Sequence, residues 1–576
     1  MERVGHSAVR DAKVEDTWVN RVNQENDIDV YDVIVVGSGA TGGVAAKELG
    51  EKGLNVLILE AGRSLNAQTD LSNGPKAMAK RLYNLGTRRQ SRQALHPGYW
   101  KANPDLFVNE QENPYTTADH KPFTWIRGRQ VGGKSLTWGG ITLRLSDYEF
   151  KAASRDGFGQ DWPISYDDLA PYYDRLEDFF QVYGATDGLP QLPDGHYQNP
   201  AEFTPGEAYL KSCLGDDMPM IISRGFPLHQ ATEEQPWPRS SSPGSSLKAG
   251  LVTGNVRLQS DAVVSHLVFD PETRRATGVT YRDRHSHKDY TVHGRVIMLC
   301  ASAIESVRIL LHSTAAYQPG GLANQSDLLG RYLMDHVSTA RFFILPDVDT
   351  AHTADLSGCD SFFIPRLCNL DRPEEQFIRG YGLWGGIQRF GVPDWLQKKK
   401  GAVGFLIGHG EVLPQHYNRV SLNPDVVDAW GIPAAHIDCH WSDNELEMVR
   451  HMHNAMESIV KQAGGRCMSL TDLFHVPVLT HYARQMEEVM EFAAPPGHYI
   501  HEVGGACMGI SPQTSVLNPH NQCWDAPNVF VTDGASWTSS GWQSPTLTSM
   551  ALTARASDFI ATLFLGGSLN SDRHSG

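Results

Sequence analysis

Three glycines near the start of the chain have the spacing of a phosphate-binding turn. Gly37, Gly39 and Gly42 form the pattern G-x-G-x-x-G, and Glu60 ends the apolar run that follows. In such a turn the first glycine allows a tight bend, the second lets the backbone approach a pyrophosphate, and the third lets a helix pack closely on a strand. The carboxylate can accept hydrogen bonds from ribose hydroxyls. These residues predict a dinucleotide site, with FAD and NAD both open.

The segments around these glycines predict the elements that such a turn requires. Residues 32–36 are a β-branched run typical of a buried parallel strand, residues 41–52 have helical spacing, and residues 54–59 form a second apolar run. A strand, a turn, a helix and a second strand place the helix N-terminus against the anionic phosphates. The glycine pattern therefore lies in the context that a nucleotide site needs.

The end of the chain predicts a second arrangement of this kind. Residues 528–532 are expected to form a strand that closes in Asp533-Gly534, and residues 546–560 are expected to form a helix with one apolar face. A strand that leads to a helix N-terminus again favours an anion.

Four motifs of the chain occur in the same order along the sequence as in one enzyme family. They are the glycine turn with Glu60-Ala61-Gly62, GRQVGGKSLTWGG (128–140), WPISYDDLAPYYDRLE (162–177) and the C-terminal block (501–560). With them the chain resembles the glucose–methanol–choline (GMC) oxidoreductases over most of its length. LLGRYLMDH (328–336) and NRVSLNPDVVDAWGIP (418–433) are similar to bacterial members that act on sugars, the glucoside 3-dehydrogenase-like and gluconate dehydrogenase-like proteins. The resemblance implies that the dinucleotide is FAD.

The resemblance also implies which residues bind FAD. They come from the two glycine-rich segments, two strands and the C-terminal block: Gly37, Gly39, Thr41, Gly42, Glu60, Ala61, Gly132, Gly133, Ser135, Thr137, Gly139, Gly140, Val263, Ala301, Asp533, Gly534, Pro545 and Thr546. Residues 255–263 and 296–301 are expected to be strands of the same domain.

His501, in H-x-x-G, matches the first member of the family's catalytic pair. An imidazole, with an unperturbed pKa of about 6.5, can take the hydroxyl proton of an alcohol while hydride leaves its carbon for the flavin. The second member is Asn or His in relatives but Ser544 here, and a serine cannot act as a base near neutral pH. Three outcomes are expected to be open: Ser544 orients the substrate through a water, Gln543 takes over the role, or turnover is slower or altered. The Asp335-His336 motif is expected to be structural.

Three further departures from the family carry expectations. Thr137 stands where some relatives have a histidine bonded to the flavin, so FAD should be non-covalent. PWPRSSSPGSSLKAG (236–250) lacks the cysteines that related bacterial enzymes carry, so no iron–sulfur cluster is expected. No other metal site is indicated. Cys507 replaces a usual arginine, which would alter the polarity of the substrate that is accepted; the alternative is that Cys507 is a buried small residue without a role.

The predicted fold is α/β plus α+β, with a discontinuous Rossmann-type FAD domain and a sheet-and-helix cap. Residues 28–150, 245–345 and 500–570 are assigned to the FAD domain, and 151–244 and 346–499 to the substrate domain. The aromatic-rich segment 379–395 contains Trp384 and Gln388, which would suit a sugar ring by stacking and hydrogen bonding. The alternative for this segment is a pair of core strands.

Composition limits partners and location. The net charge of −16 argues against nucleic acid or an anionic membrane, because both favour a basic face. No apolar run approaches the roughly 20 residues of a membrane helix. Residues 1–27 are expected to be a leader without a secretory signal. The eight cysteines contain no C-x-x-C, which favours a reducing compartment. A cytoplasmic protein is expected, with export on a partner subunit left open.

The expected function is oxidation of a secondary hydroxyl of a sugar, glycoside or polyol to a ketone. The electron acceptor is either oxygen or an external carrier, and a small escort subunit is possible. Two alternatives stay open. The first is oxidation of a non-sugar alcohol in a biosynthetic pathway, and the second is a hydroxynitrile-lyase-like reaction on the same fold, in which FAD is structural.

Overall fold

The structure is a computed structural model of the chain. It describes residues 30–216, 218–227, 229, 231–314, 318–348, 361–370, 373, 376–389, 396–475 and 480–566. The predicted leader (1–27) and part of the aromatic-rich segment (390–395) lie outside the described residues.

The strands of the described part of the chain are β1 (Val30–Val36), β2 (Val56–Leu59), β3 (Thr116–Thr117), β4 (Ile221–Ile222), β5 (Val256–Gln259), β6 (Ala262–Asp270), β7 (Arg275–Asp283), β8 (Asp289–Leu299), β9 (Ala340–Leu345), β10 (Phe362–Ile364), β11 (Tyr381–Ile387), β12 (Ala402–Gly410), β13 (Arg419–Val427), β14 (Pro433–Asp438), β15 (Arg466–Cys467) and β16 (Val529–Val531). The helices are α1 (Ala40–Glu51), α2 (Ala67–Asp70), α3 (Pro75–Gly86), α4 (Pro97–Lys101), α5 (Asp147–Phe150), α6 (Ala152–Asp156), α7 (Tyr166–Phe180), α8 (Pro205–Leu214), α9 (Ser246–Val252), α10 (Ala303–His312), α11 (Asp443–Gln462), α12 (Leu470–Leu473), α13 (Thr480–Glu491) and α14 (Thr546–Leu565).

The first sheet has seven strands in the order β5-β2-β1-β8-β7-β6, and β16 also pairs with β8. Its parallel strands are apolar on both faces because helices cover both. Val33 and Val35 pack in one cluster with residues of α1 and α14, whereas Ile34 and Val36 share the other cluster with residues of α10. This arrangement places the carboxyl ends of β1, β8 and β16 side by side.

The predicted single strand over residues 255–263 is wrong in one detail. It is two strands, β5 and β6, separated by Ser260 and Asp261. Asp261 has a φ of +57°, in the left-handed region, so the chain cannot continue extended through this position.

The second sheet has six strands in the order β15-β9-β12-β11-β10-β4. Helix α11 covers one face, where the Met452 side chain lies only 2.5 Å from the position of a Cβ added to Gly408. Strand β9 lies inside the segment 245–345 that was assigned to the FAD domain, but it pairs with β12 and β15. By hydrogen bonding β9 belongs to the second sheet. A third sheet joins β13, β14 and β3.

Candidate functional site

Two glycines of the turn between β1 and α1, Gly37 and Gly42, leave no space for a side chain. Gly37 has a φ of +99°, and a Cβ there would lie 2.4 Å from the carbonyl oxygen of Cys300. A Cβ on Gly42 would lie 2.0 Å from the carbonyl oxygen of Gly37. The bend and the close approach of helix to strand that the sequence predicts are both present.

A second glycine loop faces this turn. The Gly132 amide donates to Ser38 Oγ at 3.0 Å. A Cβ added to Gly133 would lie 3.5 Å from Gly39 Cα, so the backbones of the two loops also lie close together at this point. No side chain caps the N-terminus of α1, which leaves its amides for another acceptor. A glycine cradle beside an uncapped helix N-terminus fits the pyrophosphate of a dinucleotide.

Glu60 lies at the end of β2 beside this turn. Its Oε2 accepts from Ser38 N at 3.1 Å and Ser38 Oγ at 2.6 Å, and its Oε1 accepts from Gly62 N at 2.9 Å. Burial raises the pKa of the carboxyl, against the hydrogen bonds from Ser38 and Gly62 that lower it. Its predicted contact with ribose stays a prediction.

Asp533 and Gly534 connect the nucleotide side to the C-terminal block. Asp533 accepts hydrogen bonds from the Ser306 hydroxyl and from Ala535 N, and burial raises the pKa of its carboxyl to about 6. A Cβ on Gly534 would lie 2.6 Å from the carbonyl oxygen of Glu502. The end of β16 is therefore in contact with the segment that carries His501.

The other predicted cofactor residues lie around these two regions. Ser135 Oγ donates to Gly132 O at 2.6 Å, and Thr137 Oγ1 donates to Lys134 O at 3.3 Å. The rest lie near strand ends, helix starts and the second glycine loop: Thr41 in the first turn of α1, Ala61 after β2, Gly139 and Gly140 after the second glycine loop, Val263 near the start of β6, Ala301 after β8, and Pro545 and Thr546 at the start of α14. Their roles toward FAD stay predictions.

Asp335 fixes the backbone that leads to His501. Its Oδ1 accepts from His501 N at 2.9 Å, and its Oδ2 accepts from Gly497 N at 2.8 Å and Tyr499 N at 3.3 Å. Between them Ile500 has a φ of +65°, which is rare for a β-branched residue. Strained backbone persists where its surroundings over-determine it, and here one carboxyl group binds three amides of the loop.

Two imidazoles and a phenol surround the His501 ring: His336, His409 and Tyr499. His501 Nδ1 and His336 Nδ1 are 3.0 Å apart, and His336 Nε2 lies 2.7 Å from the carbonyl oxygen of Gly541. The His409 ring on β12 lies 6.3 Å from the His501 ring, centroid to centroid. His409 Nε2 is hydrogen-bonded to the Tyr499 hydroxyl. Both the second sheet and the C-terminal block contribute to this cluster.

Burial keeps these rings neutral. Burial first, and then the neighbouring imidazoles of His336 and His409, hold the pKa of His501 well below 6.5. Burial lowers the pKa of His336 to about 4, against the carbonyl of Gly541, which raises it. His501 is half-buried, whereas His336 and His409 are buried. A neutral, partly accessible imidazole has a lone pair with which to accept a proton.

Neither of the two predicted partners of His501 takes part in this contact. Ser544 is buried just before α14, and Gln543 is fully buried, with its amide oxygen 2.7 Å from the position of a Cβ on Gly541. Within the described ranges neither forms a hydrogen bond to His501, and both amide atoms of Gln543 are buried without a hydrogen-bond partner. The residue that is hydrogen-bonded to the His501 ring is His336.

The predicted substrate residues fall in three places. Trp384 on β11 contacts Phe405 edge to face at 5.0 Å and lies 6.2 Å from the His409 ring, so it is one ring removed from His501. Gln388 lies past the far end of β11, where its side-chain oxygen accepts from Gly206 N at 2.9 Å. Cys507 is buried, and burial raises the pKa of its thiol to about 12.

Several residues of the site were not found by sequence reasoning. Tyr499 and His409 carry no motif, and His409 is one alternating position in an apolar strand. Glu502 directly follows His501, a signal that could have been used. Its Oε2 pairs with Lys134 Nζ at 2.9 Å, while Oε1 is buried without a hydrogen-bond partner.

The chain belongs to the GMC oxidoreductases. Residues 31–338 match the N-terminal domain of this family and residues 414–553 match its C-terminal domain. This confirms the resemblance that the motifs indicated, and the enzyme class follows: an FAD-dependent oxidoreductase that acts on alcohols.

Three known proteins show how similar the chain is to members of this family and to solved structures. The chain is 27% identical to 2-methyl-1,2-propanediol dehydrogenase of Mycolicibacterium austroafricanum, over 93% of this chain and 96% of the relative. It is 26% identical to the fructose dehydrogenase large subunit of Gluconobacter japonicus, over 92% and 97% respectively. The solved structure of pyridoxine 4-oxidase from Mesorbium loti has the same fold, with a TM-score of 0.61 at 17% identity over 92% of this chain and 99% of that one. The predicted fold class is confirmed.

In the part of the chain that the structure describes, no helix is both long and apolar enough to cross a membrane.

Proposed function

We propose that the enzyme oxidises a secondary hydroxyl of a sugar, glycoside or polyol to a ketone, with His501 as the base. The observation that carries this proposal is the half-buried His501 ring, held neutral beside an aromatic face of the second sheet. FAD, when bound, supplies the acceptor for the hydride that leaves the carbinol carbon. His501 takes the hydroxyl proton, so that the C–H and O–H bonds break as the C=O bond forms.

The substrate class is supported by the face of the second sheet that carries His409. The register places Trp384 opposite Phe363 and Ile407, and Phe405 lies on the same face two residues before Ile407. Aromatic side chains of this kind stack on the apolar faces of sugar rings. The two curated relatives act on a sugar and on a diol, by their names, which agrees with a substrate that carries several hydroxyls.

The cofactor and partners complete the proposal. FAD is held non-covalently, since Thr137 has no nucleophilic ring nitrogen. In the segment 236–250 serine hydroxyls stand where an iron–sulfur cluster would need thiolates, and Ser242 Oγ donates to Ser38 O at 2.8 Å beside the glycine turn. Oxygen or an external carrier takes the electrons. A small escort subunit is the partner that this proposal includes, because one relative is the large subunit of its enzyme.

Anaerobic mixing of the purified holoprotein with an alcohol panel tests this function. The panel holds glycosides and polyols with secondary hydroxyls, matched primary alcohols, and simple non-sugar alcohols, and flavin absorbance is followed with time. We expect bleaching by a polyhydroxylated substrate and recovery when oxygen or an artificial electron acceptor is added. If only non-sugar alcohols bleach the flavin, the proposed sugar or polyol substrate is wrong and the enzyme acts on a non-sugar alcohol. Cleavage of cyanohydrins without any flavin reduction would overturn the oxidative function itself.

A further inference from the structure

His336 and His501 meet through the same ring atom of each, and this contact permits only one distribution of protons. The two Nδ1 atoms are 3.0 Å apart, so one must donate and the other must accept. The rings are nearly perpendicular, at 86°, with centroids 4.8 Å apart. The donor can be identified from the other end of the His336 ring.

His336 Nε2 lies 2.7 Å from the carbonyl oxygen of Gly541. A carbonyl oxygen only accepts, so His336 Nε2 must carry a hydrogen. His336 is 3% exposed, and burial keeps it neutral at neutral pH. A neutral imidazole carries one N–H, so the Nδ1 of His336 is a lone pair.

The donor in the contact is therefore His501 Nδ1. Because His501 is itself neutral, its Nε2 has no hydrogen and offers a lone pair. We propose that His336 is a positioning residue that fixes His501 in the Nδ1–H tautomer, with Nε2 as the proton acceptor. This inference rests on the proposed function only in assigning that lone pair to a substrate hydroxyl.

The same contact supports His501 after it accepts the proton. The new N–H forms at Nε2, while the Nδ1–H bond to His336 becomes charge-assisted and stronger. His336 does not need to accept that proton, since its own Nε2–H is held by Gly541. This gives the Asp335-His336 motif a role beyond the structural one that the sequence indicated. It also gives His501 a partner that does not depend on residue 544.

The tautomer can be measured directly by nitrogen NMR of the holoprotein labelled with ¹⁵N at histidine. The His501 signals are assigned by their absence in His501→Ala. We expect Nδ1 to be protonated and Nε2 to be unprotonated. The two states are told apart by their ¹⁵N chemical shifts, which differ widely between protonated and unprotonated imidazole nitrogens. If Nε2 of His501 is protonated and Nδ1 is not, the inference is overturned, whatever the substrate is.

Two variants test the consequence for the rate. His336→Phe keeps a ring but has no acceptor, and it should lower the rate constant of flavin reduction at saturating substrate about 10- to 100-fold, with little change in FAD content or substrate affinity. His336→Asn has an amide oxygen near Nδ1 and should recover part of the loss. His312→Phe is the matched control, since His312 pairs with His266 at 5.9 Å at the end of α10.

The outcomes separate this inference from the proposed function. Equal reduction rates in wild type, His336→Phe and His336→Asn would overturn the positioning role. If no alcohol reduces the wild-type flavin, the proposed function fails, while the NMR measurement still decides the tautomer. If His336→Phe does not fold with FAD, the NMR of wild type and His336→Asn decides.

Discussion

The nucleotide end and the His501 end of the site are built from different kinds of constraint. At the nucleotide end, Gly37, Gly42 and Glu60 lie in one β-α-β unit, and the backbone atoms are so close that an added Cβ would overlap them. At the other end, His336, His409 and His501 come from three distant segments and meet through buried polar rings. One end depends on backbone sterics and the other on which atoms carry protons.

This contrast teaches that binding and chemistry should separate under mutation. A change at the nucleotide end alters the shape of the cradle, so it should remove the cofactor. A change at the His501 end alters proton positions in a structure that still folds, so it should leave the cofactor in place. Each prediction below tests one side of that division.

Gly42→Ala should have the largest effect. The new Cβ would lie 2.0 Å from the carbonyl oxygen of Gly37, and backbone cannot move away as the end of a flexible side chain can. We expect protein with little or no bound FAD, measured by flavin absorbance per mole of chain. Gly86→Ala is the control, because nothing lies within 4 Å of its added Cβ. Full FAD content in Gly42→Ala would show that this turn does not bind the cofactor.

His501→Ala should leave FAD bound and lower the rate constant of flavin reduction by about 10²–10⁴-fold, the usual contribution of a general base. In wild type that rate should stay constant down to about pH 6.5, because burial holds the pKa of His501 well below its usual value. Stopped-flow measurements across pH check both statements. A wild-type rate that already halves near pH 6.5 would mean that the base is in a more polar environment.

How much the sequence could predict follows the same division. The glycine turn, Glu60 and the flanking strands were predicted because they are close in sequence. The glycines are required by steric constraints, and the glutamate is required as a hydrogen-bond acceptor. His501 was found through the family motif. The contact with His336 was not found, because two residues far apart in sequence meet only when three segments fold together. Tyr499 and His409 had no signal, since an imidazole on an apolar strand looks like any core position.

The assignment of β9 illustrates the same limit. Its residues were assigned to the FAD domain as part of 245–345, but nothing in their local pattern indicates whether β8 or β12 is the neighbouring strand. Hydrogen bonding to β12 places β9 in the second sheet. Pairing partners depend on long-range topology, which local patterns do not contain.

Asp335→Asn should have a smaller effect that depends on pH. Burial, and then Glu502, raise the pKa of Asp335 from 3.8 to about 7. The folded state therefore binds this proton more tightly than the unfolded state, so its contribution to stability is complete below about pH 4 and is lost as the pH rises to about 7. Asparagine stays neutral throughout. The melting temperature of the variant relative to wild type should increase from about pH 5 to pH 8 by several degrees.

Exposed Asp425 on β13 provides the control for this measurement. Asp425→Asn should give a melting temperature that runs parallel to wild type over the same pH range. Parallel curves for Asp335→Asn as well would mean that the carboxyl is not protonated near neutral pH, and that the loop through Ile500 is held by a charged group.

Ser544→Asn should give the smallest effect, and it tests whether the His501 end lacks a partner. Asparagine is one of the two residues, Asn or His, that the family resemblance predicts before α14, and it adds one neutral hydrogen-bond donor toward the substrate oxygen. One such bond is worth about 0.5–1.5 kcal/mol, which corresponds to a rise of about 2- to 10-fold in the rate of flavin reduction. Ser212→Asn, exposed on α8, is the control. Because Ser544 is only 5% exposed, a fall in rate with FAD retained would show that the packing around α14 accommodates serine and that the site does not lack an asparagine at this position.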